Sequence, residues 1–212
     1  MTDKESALKG LSAGVAVSDG REKGATALTG GYKTDGQQTF FKYNATVVAD
    51  GQVWRVSPQG YYYVGPFSAL AEYVESTVNV RPTATGAKAE LKNKAWDGQL
   101  GWVLTGEDAT YTGVTPRTPF NWDEGTWGAF QVVGRYSDLK VDPNAFPLFA
   151  SATTNAEEAS AWGAGLNWFL SRPVRISLDY FLTHFKDPVP TSSTQILRQD
   201  ERALTTRVQL FF

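Results

Sequence analysis

The chain has no cysteine, one histidine and one methionine in 212 residues. Without cysteine there is no disulfide framework and no thiolate chemistry. A single histidine leaves no zinc site built on several His or Cys ligands, so no metal and no cofactor is expected. No run of about 18 apolar residues occurs, so no transmembrane helix is expected. The opening "MTDKESALKG" is charged and has no apolar stretch, so it does not read as a signal peptide. Net charge is -2 and the isoelectric point about 5.5. Bulk attraction to nucleic acid or anionic lipid is therefore not indicated. No nucleophile, metal cluster or acid–base pair stands out, and an enzyme is not expected. "GTWGAFQVVG" has no phosphate-cradling spacing.

Glycine and aromatic residues are plentiful instead. Gly is 20 of 212 and aromatics reach 13%, with seven Trp and nine Tyr. With almost no helical periodicity, this indicates an all-β chain. Soluble sandwiches share part of the profile. Outer-membrane barrels share more of it, because they set Trp and Tyr at both membrane interfaces. Their mean hydropathy stays low, here -0.31, since half of each strand faces water.

The alternation of strand side chains recurs along the chain. In "ALTTRVQLFF", Leu204, Thr206, Val208, Leu210 and Phe212 oppose Ala203, Thr205, Arg207, Gln209 and Phe211. In "AWGAGLNWFL", Trp162, Leu166 and Trp168 oppose Gly163, Gly165 and Asn167. "VRISLDYFLTHF" opposes Val174, Ile176, Leu178 and Tyr180 to Arg175, Ser177 and Asp179, with Phe181 a misfit. "TWGAFQVVGRYSDL", "AWDGQLGWVL", "FSALAEYVES" and "VWRVSPQGYYYV" read likewise. "FFKYNATVV" sets Phe41, Tyr43 and Val47 against Lys42 and Asn44, and Asp50-Gly51 then predicts a tight hairpin. "GLSAGVAV" is a weaker candidate. About nine strands result, each long enough to cross a membrane at a tilt. The whole chain, 1–212, reads as one barrel domain, with 1–37 a weakly ordered start and loop.

Connections are unequal. "VGPF" and "LSRP" are short, whereas 19–37, 79–90, 105–125, 140–158 and 187–200 are long and polar. Short turns at one end and long loops at the other describe an outer-membrane barrel, while a sandwich has more even spacing. Segment 105–125 then falls on the short-turn side. Either a strand is hidden in it or it folds into the lumen, and the second reading is preferred.

The blocks "SPQGYYYVGPFSALAEYV" (57–74), "GWVLTGEDATYTGVTPRTPF" (101–120), "GTWGAFQVVGRYSDLKVDPNAFPLFA" (125–150) and "AWGAGLNWFLSRPVRISLDYFLTHF" (161–185) resemble the C-terminal half of the phosphate-selective porins O and P. The likeness runs from Gln38 to Phe212. It implies a transmembrane antiparallel β-barrel of about sixteen strands, of which this chain holds the C-terminal part. It also implies a homotrimer in the Gram-negative outer membrane that passes phosphate or polyphosphate. Pore arginines and lysines, and an inward-folded turn, are implied as well. An open half-sheet exposes two edges to lipid, so the chain is read as a truncated product or fragment. The alternative is a small barrel closing on about eight strands, which would not conduct well.

Anion passage needs guanidinium or ammonium groups that replace lost hydration. Alternation assigns Lys42, Arg55, Arg135, Arg175 and Arg207 to the lumen face. Glu72, Asp97 and Asp179 share that face, so each cation can instead serve a cross-strand salt bridge. Arg117 is either a constriction residue in the inserted turn or a solvated loop charge. Lys23 and Lys33 are candidates for an outer funnel, and Lys92 and Lys94 for the membrane–water boundary. Trp54, Tyr62, Trp96, Trp102, Trp127, Trp162 and Trp168 read as girdle or lipid-facing residues, with carbohydrate stacking a minor alternative. His184 reads as interfacial. Asp187, Glu157 and Glu158 form a weak calcium candidate. Val208, Leu210 and Phe212 resemble the signal read by the barrel assembly machinery. Partners are then inorganic anions, outer-membrane lipid and that machinery. The functional alternatives are a non-conducting structural barrel and a soluble all-β binding module.

Overall fold

The computed structural model describes residues 9–28, 30–188 and 198–211. Ten strands occur: β1 Leu11–Gly24, β2 Tyr32–Lys33, β3 Thr39–Phe41, β4 Val48–Val64, β5 Phe67–Arg81, β6 Ala89–Val103, β7 Ala129–Lys140, β8 Glu158–Ser171, β9 Val174–Lys186 and β10 Glu201–Leu210. Eight of them form one antiparallel meander in the order β1-β4-β5-β6-β7-β8-β9-β10. β2 and β3 make a separate two-stranded ribbon. Among the described residues the meander is not closed: β1 and β10 stand at its two edges.

Alternation explains the long strands. On β6, Trp96, Leu100 and Trp102 are 47%, 68% and 48% exposed. Asp97 and Gln99 point the other way, into a cavity. Leu166 and Trp162 on β8, Leu178 and Tyr180 on β9, and Leu204 and Val208 on β10 continue the exposed apolar face. No second sheet covers that face among the described residues. A sandwich would bury these side chains in a dry core, so they are placed as in a sheet whose outer solvent is hydrocarbon. From Lys94 on β6 to Leu104, one residue past its end, is a run of ten residue steps. At about 3.3 Å per residue and about 40° of tilt this is roughly 25 Å, the height of a barrel's apolar band.

The polar face carries two apolar clusters, one near each end. The larger is built by connections folding back onto the sheet. Phe40 and Phe41 (1% and 0% exposed) pack with Val53, Val78, Val80, Leu91 and Val141. Phe149 and Ala150 from the β7–β8 connection join them. The smaller joins Val103, Ala129 and Phe169 to Ala109 and Val114 of the β6–β7 connection, with Tyr63 against them.

Three sequence expectations are corrected. "FFKYNATVV" is not one strand of the main sheet: its first two residues end the short β3 and its last opens β4. Consecutive Phe40 and Phe41 are both buried, which one half-wet strand cannot achieve. The Asn44 N–H instead bonds the Phe149 carbonyl (2.9 Å), and the Val47 N–H closes a turn onto Asn44 (3.0 Å). Asp50-Gly51 is not a hairpin. It lies inside β4, where the register with β5 shifts between Ala49 and Val53 and Gly51 takes φ 142°. The Asp50 carboxylate meets Arg81 on β5 at 2.5 Å, so the Asp-Gly signal marks a bulge. The main sheet therefore has eight strands, and the weak "GLSAGVAV" candidate extends to Gly24, inside the span expected to be a loop.

The connection from β6 to β7 lies at the same end as Gly65-Pro66 and Arg172-Pro173 and hides no further sheet strand. Its first half turns onto the polar face: the Ala109 N–H bonds the Gly65 carbonyl (2.8 Å), and Ala109 and Val114 are buried. Its second half lies against the outer face. The Phe120 N–H bonds the Leu170 carbonyl (2.6 Å), and the Phe120 and Trp127 rings meet Trp168.

Candidate functional site

Between the two clusters, the polar face borders a cavity of about 810 Å³. Its wall comes from β5 to β10, and its loop-side rim from Lys33, Asp35, Gln37 and Phe40. Alternation puts Glu72, Asp97, Gln99, Arg135, Asn167, Arg175, Ser177, Asp179, Arg207 and Gln209 on this wall, and all of them line it.

Arg135 is fully engaged. Its Nε donates to Asp97, and its Nη1 donates to Asp35 at 2.7 Å. Asp35 arrives from the β2–β3 connection, a hundred residues away in sequence. This arginine is therefore a tether between the wall and the folded-back connection, outnumbered by its two carboxylates. Below it, Ser177 donates to Asn167 (2.5 Å), which donates to Gln131 (3.1 Å), a neutral ladder across three strands.

Arg175 and Arg207 form a different arrangement. Arg175 Nε donates to Gln209 Oε1 at 3.0 Å, its guanidinium lies 5.6 Å from the Phe169 ring centre and 6.0 Å from that of Phe211. In the β9–β10 register, Arg175 faces Gln209 and Ser177 faces Arg207. The two arginines are diagonal neighbours on one face, with Cα atoms about 7–8 Å apart. Asp179 faces Thr205, one step further along that face. Two like charges so close favour a counter-ion, and each guanidinium has donors suited to an oxyanion.

The remaining expected cations lie elsewhere. Lys42 is exposed in the connection before β4, off the main sheet, where its backbone N–H bonds Asn155 Oδ1 at 2.7 Å. Arg55 is exposed on β4 between Ser18 and Ser76, outside the cavity lining. Its charge lies near Tyr32. Burial raises the Tyr32 phenol above its ordinary value, against the opposing pull of the Asn93 hydrogen bond and Arg55. Arg117 is also off the lining. Its Nη2 donates to the Gly106 carbonyl (2.7 Å), and its backbone N–H donates to Glu107 (3.3 Å). Burial alone would raise the Glu107 carboxyl. The Thr105 hydroxyl, the N–H groups of Glu107 and Arg117, and the Arg117 charge together hold it below its ordinary 4.5.

Asp35 and Gln37 carry no periodic signal, and sequence reading missed them, whereas Lys33, expected in an outer funnel, stands at this rim. Gln209 was legible as a polar-face residue, but its bond to Arg175 was not. Of the calcium candidates, Glu157 and Glu158 both approach Lys186 (3.9 and 3.8 Å), and Asp187 accepts from the Arg198 N–H (3.1 Å). His184 is half exposed on the outer face and meets Asp200 at 2.8 Å. Val208 and Leu210 are exposed on the outer face of β10. Phe212 lies outside the described residues.

The family model for phosphate-selective porins O and P matches residues 9–212. Porin O of Pseudomonas aeruginosa is 32% identical over 136 residues, covering 62% of this chain. The match spans 29% of that relative's own length.

Proposed function

The chain belongs to the phosphate-selective porin O and P family, and from that premise we propose that its eight-stranded sheet is part of an outer-membrane barrel wall for passive diffusion of small anions. Phosphate or polyphosphate is the favoured solute class, and the working assembly is a trimer in a Gram-negative outer membrane. The part played by this chain is that of a channel wall rather than an enzyme. The polar face supplies the wet side, and the exposed apolar face meets lipid. Val208, Leu210 and Phe212 serve the barrel assembly machinery. The observation that carries anion preference is the diagonal pair Arg175 and Arg207 on the cavity wall, with Arg175 held by Gln209 and the Phe169 ring. An anion leaving bulk water exchanges hydration for charge-assisted hydrogen bonds there. Lys33 at the rim adds a cation on the approach.

The test is planar-bilayer recording of the folded chain across a potassium chloride gradient. A reversal potential of anion-selective sign, reduced by added phosphate and lost in Arg175→Gln/Arg207→Gln, supports the reading. Cation selectivity overturns it. A second reading is a structural barrel that does not conduct. It is favoured by the Phe40–Phe41 cluster on the loop end of the polar face and by the carboxylates Asp35, Glu72, Asp97 and Asp179 beside the cations. Membrane insertion without current steps selects it.

A further inference from the structure

We propose that the outer face holds a built site for one membrane lipid with an anionic phosphomonoester head, that head on Lys94 and Lys140 and an acyl chain in the groove below them. The inference rests on the outer face meeting lipid and is independent of anion passage.

The groove has a volume of about 600 Å³ and is lined by apolar and aromatic side chains, among them Tyr62, Leu100, Tyr136 and Trp162. Its depth has a simple cause. Gly60, Ala71 and Gly98 fall in one cross-strand row that ends at Tyr136, so three adjacent strands place almost no side chain there. Towards the loop end an aromatic wall closes it. Trp96 lies 4.8 Å from Tyr136, and Tyr136 lies 4.5 Å from Trp162, centre to centre.

One row beyond Trp96, with Asp138 and Ser160 of β7 and β8 standing between it and the Tyr136 and Trp162 rings, runs a charged row: Glu75, Lys94, Lys140, Glu158 and Lys186, each opposite the next on neighbouring strands. The row mixes signs, but not at equal height. Lys94, Lys140 and Lys186 are 54%, 46% and 61% exposed, against 23% for Glu75 and 26% for Glu158. The carboxylates lie against the sheet and the ammonium groups stand outward. The ion pairs are loose, at 3.6 to 3.8 Å, and exposed pairs of this kind contribute little. The lysines can therefore turn to a phosphate without breaking a strong contact. Along β6 the outward residues read Lys94, Trp96, Gly98, Leu100: cation, interfacial ring, groove floor, apolar wall. That order matches the depth profile of a lipid with an anionic head.

The test uses the full chain folded in detergent micelles. Tryptophan quenching is titrated with two lipids of identical brominated chains, a phosphatidate and a phosphatidylcholine. The expected result is about thirtyfold tighter association of the phosphatidate, from about 1 kcal/mol for each of the two engaged lysines at the surface. Lys94→Gln/Lys140→Gln should bring the ratio near one while leaving phosphatidylcholine association unchanged. Gly98→Leu should weaken both lipids by filling the floor. Equal association of both lipids with the wild-type chain, which needs no variant, overturns the proposal. So does a ratio unmoved by the lysine changes. A second copy of the chain on this face would show as concentration-dependent loss of quenching by both lipids, and it too overturns the proposal. None of these readouts involves current, so failure here and failure of anion passage are separable.

Discussion

Replacing Asp35 by Asn should increase anion preference although it touches no cation of the Arg175–Arg207 pair. Arg135 is held by Asp97 and by Asp35, the latter at 2.7 Å. The cluster therefore presents one excess negative charge to the cavity while both acids are ionised. Asp35→Asn brings it to neutrality and keeps a side chain of the same shape. For an anion about 6 Å away, one unit charge is worth about 0.7 kcal/mol in bulk water and about 3 kcal/mol at the effective dielectric of a protein surface. The Arg135 and Asp35 side chains are 34% and 21% exposed. Solvent screening therefore places the effect near the lower bound, about 1 kcal/mol, or roughly fivefold in anion occupancy. The assay is the chloride-to-potassium permeability ratio from reversal potentials, with inorganic phosphate line broadening in micelles as a current-free check. A ratio that stays constant or falls refutes the view that Asp35 neutralises the wall. The same change should loosen the connection before β4, seen as faster amide exchange at residues 34–41.

Phe40→Ala removes a 1%-exposed ring from the loop-end cluster. It should cost about 3–5 kcal/mol, read as a lower urea midpoint for unfolding from micelles. The inward half of the β6–β7 connection should loosen in acid. Glu107 has a folded pKa below its ordinary 4.5, so its contribution is present above that value and is lost as pH falls through the folded one. Amide exchange at residues 105–117, relative to its intrinsic rate, should rise as pH falls through the folded value, and Glu107→Gln should remove that effect. Gly51→Val should destabilise the β4 bulge, since φ 142° is strained for a branched residue. The expected loss is about 1–3 kcal/mol in the same urea assay.

The long strands were legible because period-two alternation is local and is set by what each face meets. Trp96, Leu100 and Trp102 declare the outer face whatever their neighbours do. The loop-side cluster was not legible, because its logic is non-local. Phe40 and Phe41 look like half of a strand until Val80, Leu91 and Val141 are placed around them. The same holds for Asp50-Gly51, where a bulge and a hairpin share one sequence signal. For the cavity, alternation assigned Arg135, Arg175 and Arg207 to the correct face. It gave no means of telling the paired arginine from the open ones, since Asp35 comes from an aperiodic segment.

On the proposed anion passage, that distinction decides where selectivity would reside on the wall. A cation bonded to two carboxylates has its charge more than balanced, with two of its five N–H donors committed, so an incoming phosphate meets net negative charge at Arg135. At Arg175 the fixed partners are a neutral amide and the Phe169 and Phe211 rings. These hold the guanidinium plane without cancelling its charge. Arg207 faces Ser177, whose hydroxyl is already turned to Asn167. Arg207→Gln should therefore abolish anion preference, while Arg135→Gln, which leaves Asp35 and Asp97 unbalanced, should lower it only by the roughly fivefold that one screened unit charge is worth there and should also free the Asp35 connection. Equal loss from the two substitutions in the reversal-potential assay would show that the wall acts through its total charge, and that the arrangement of partners around each arginine is irrelevant.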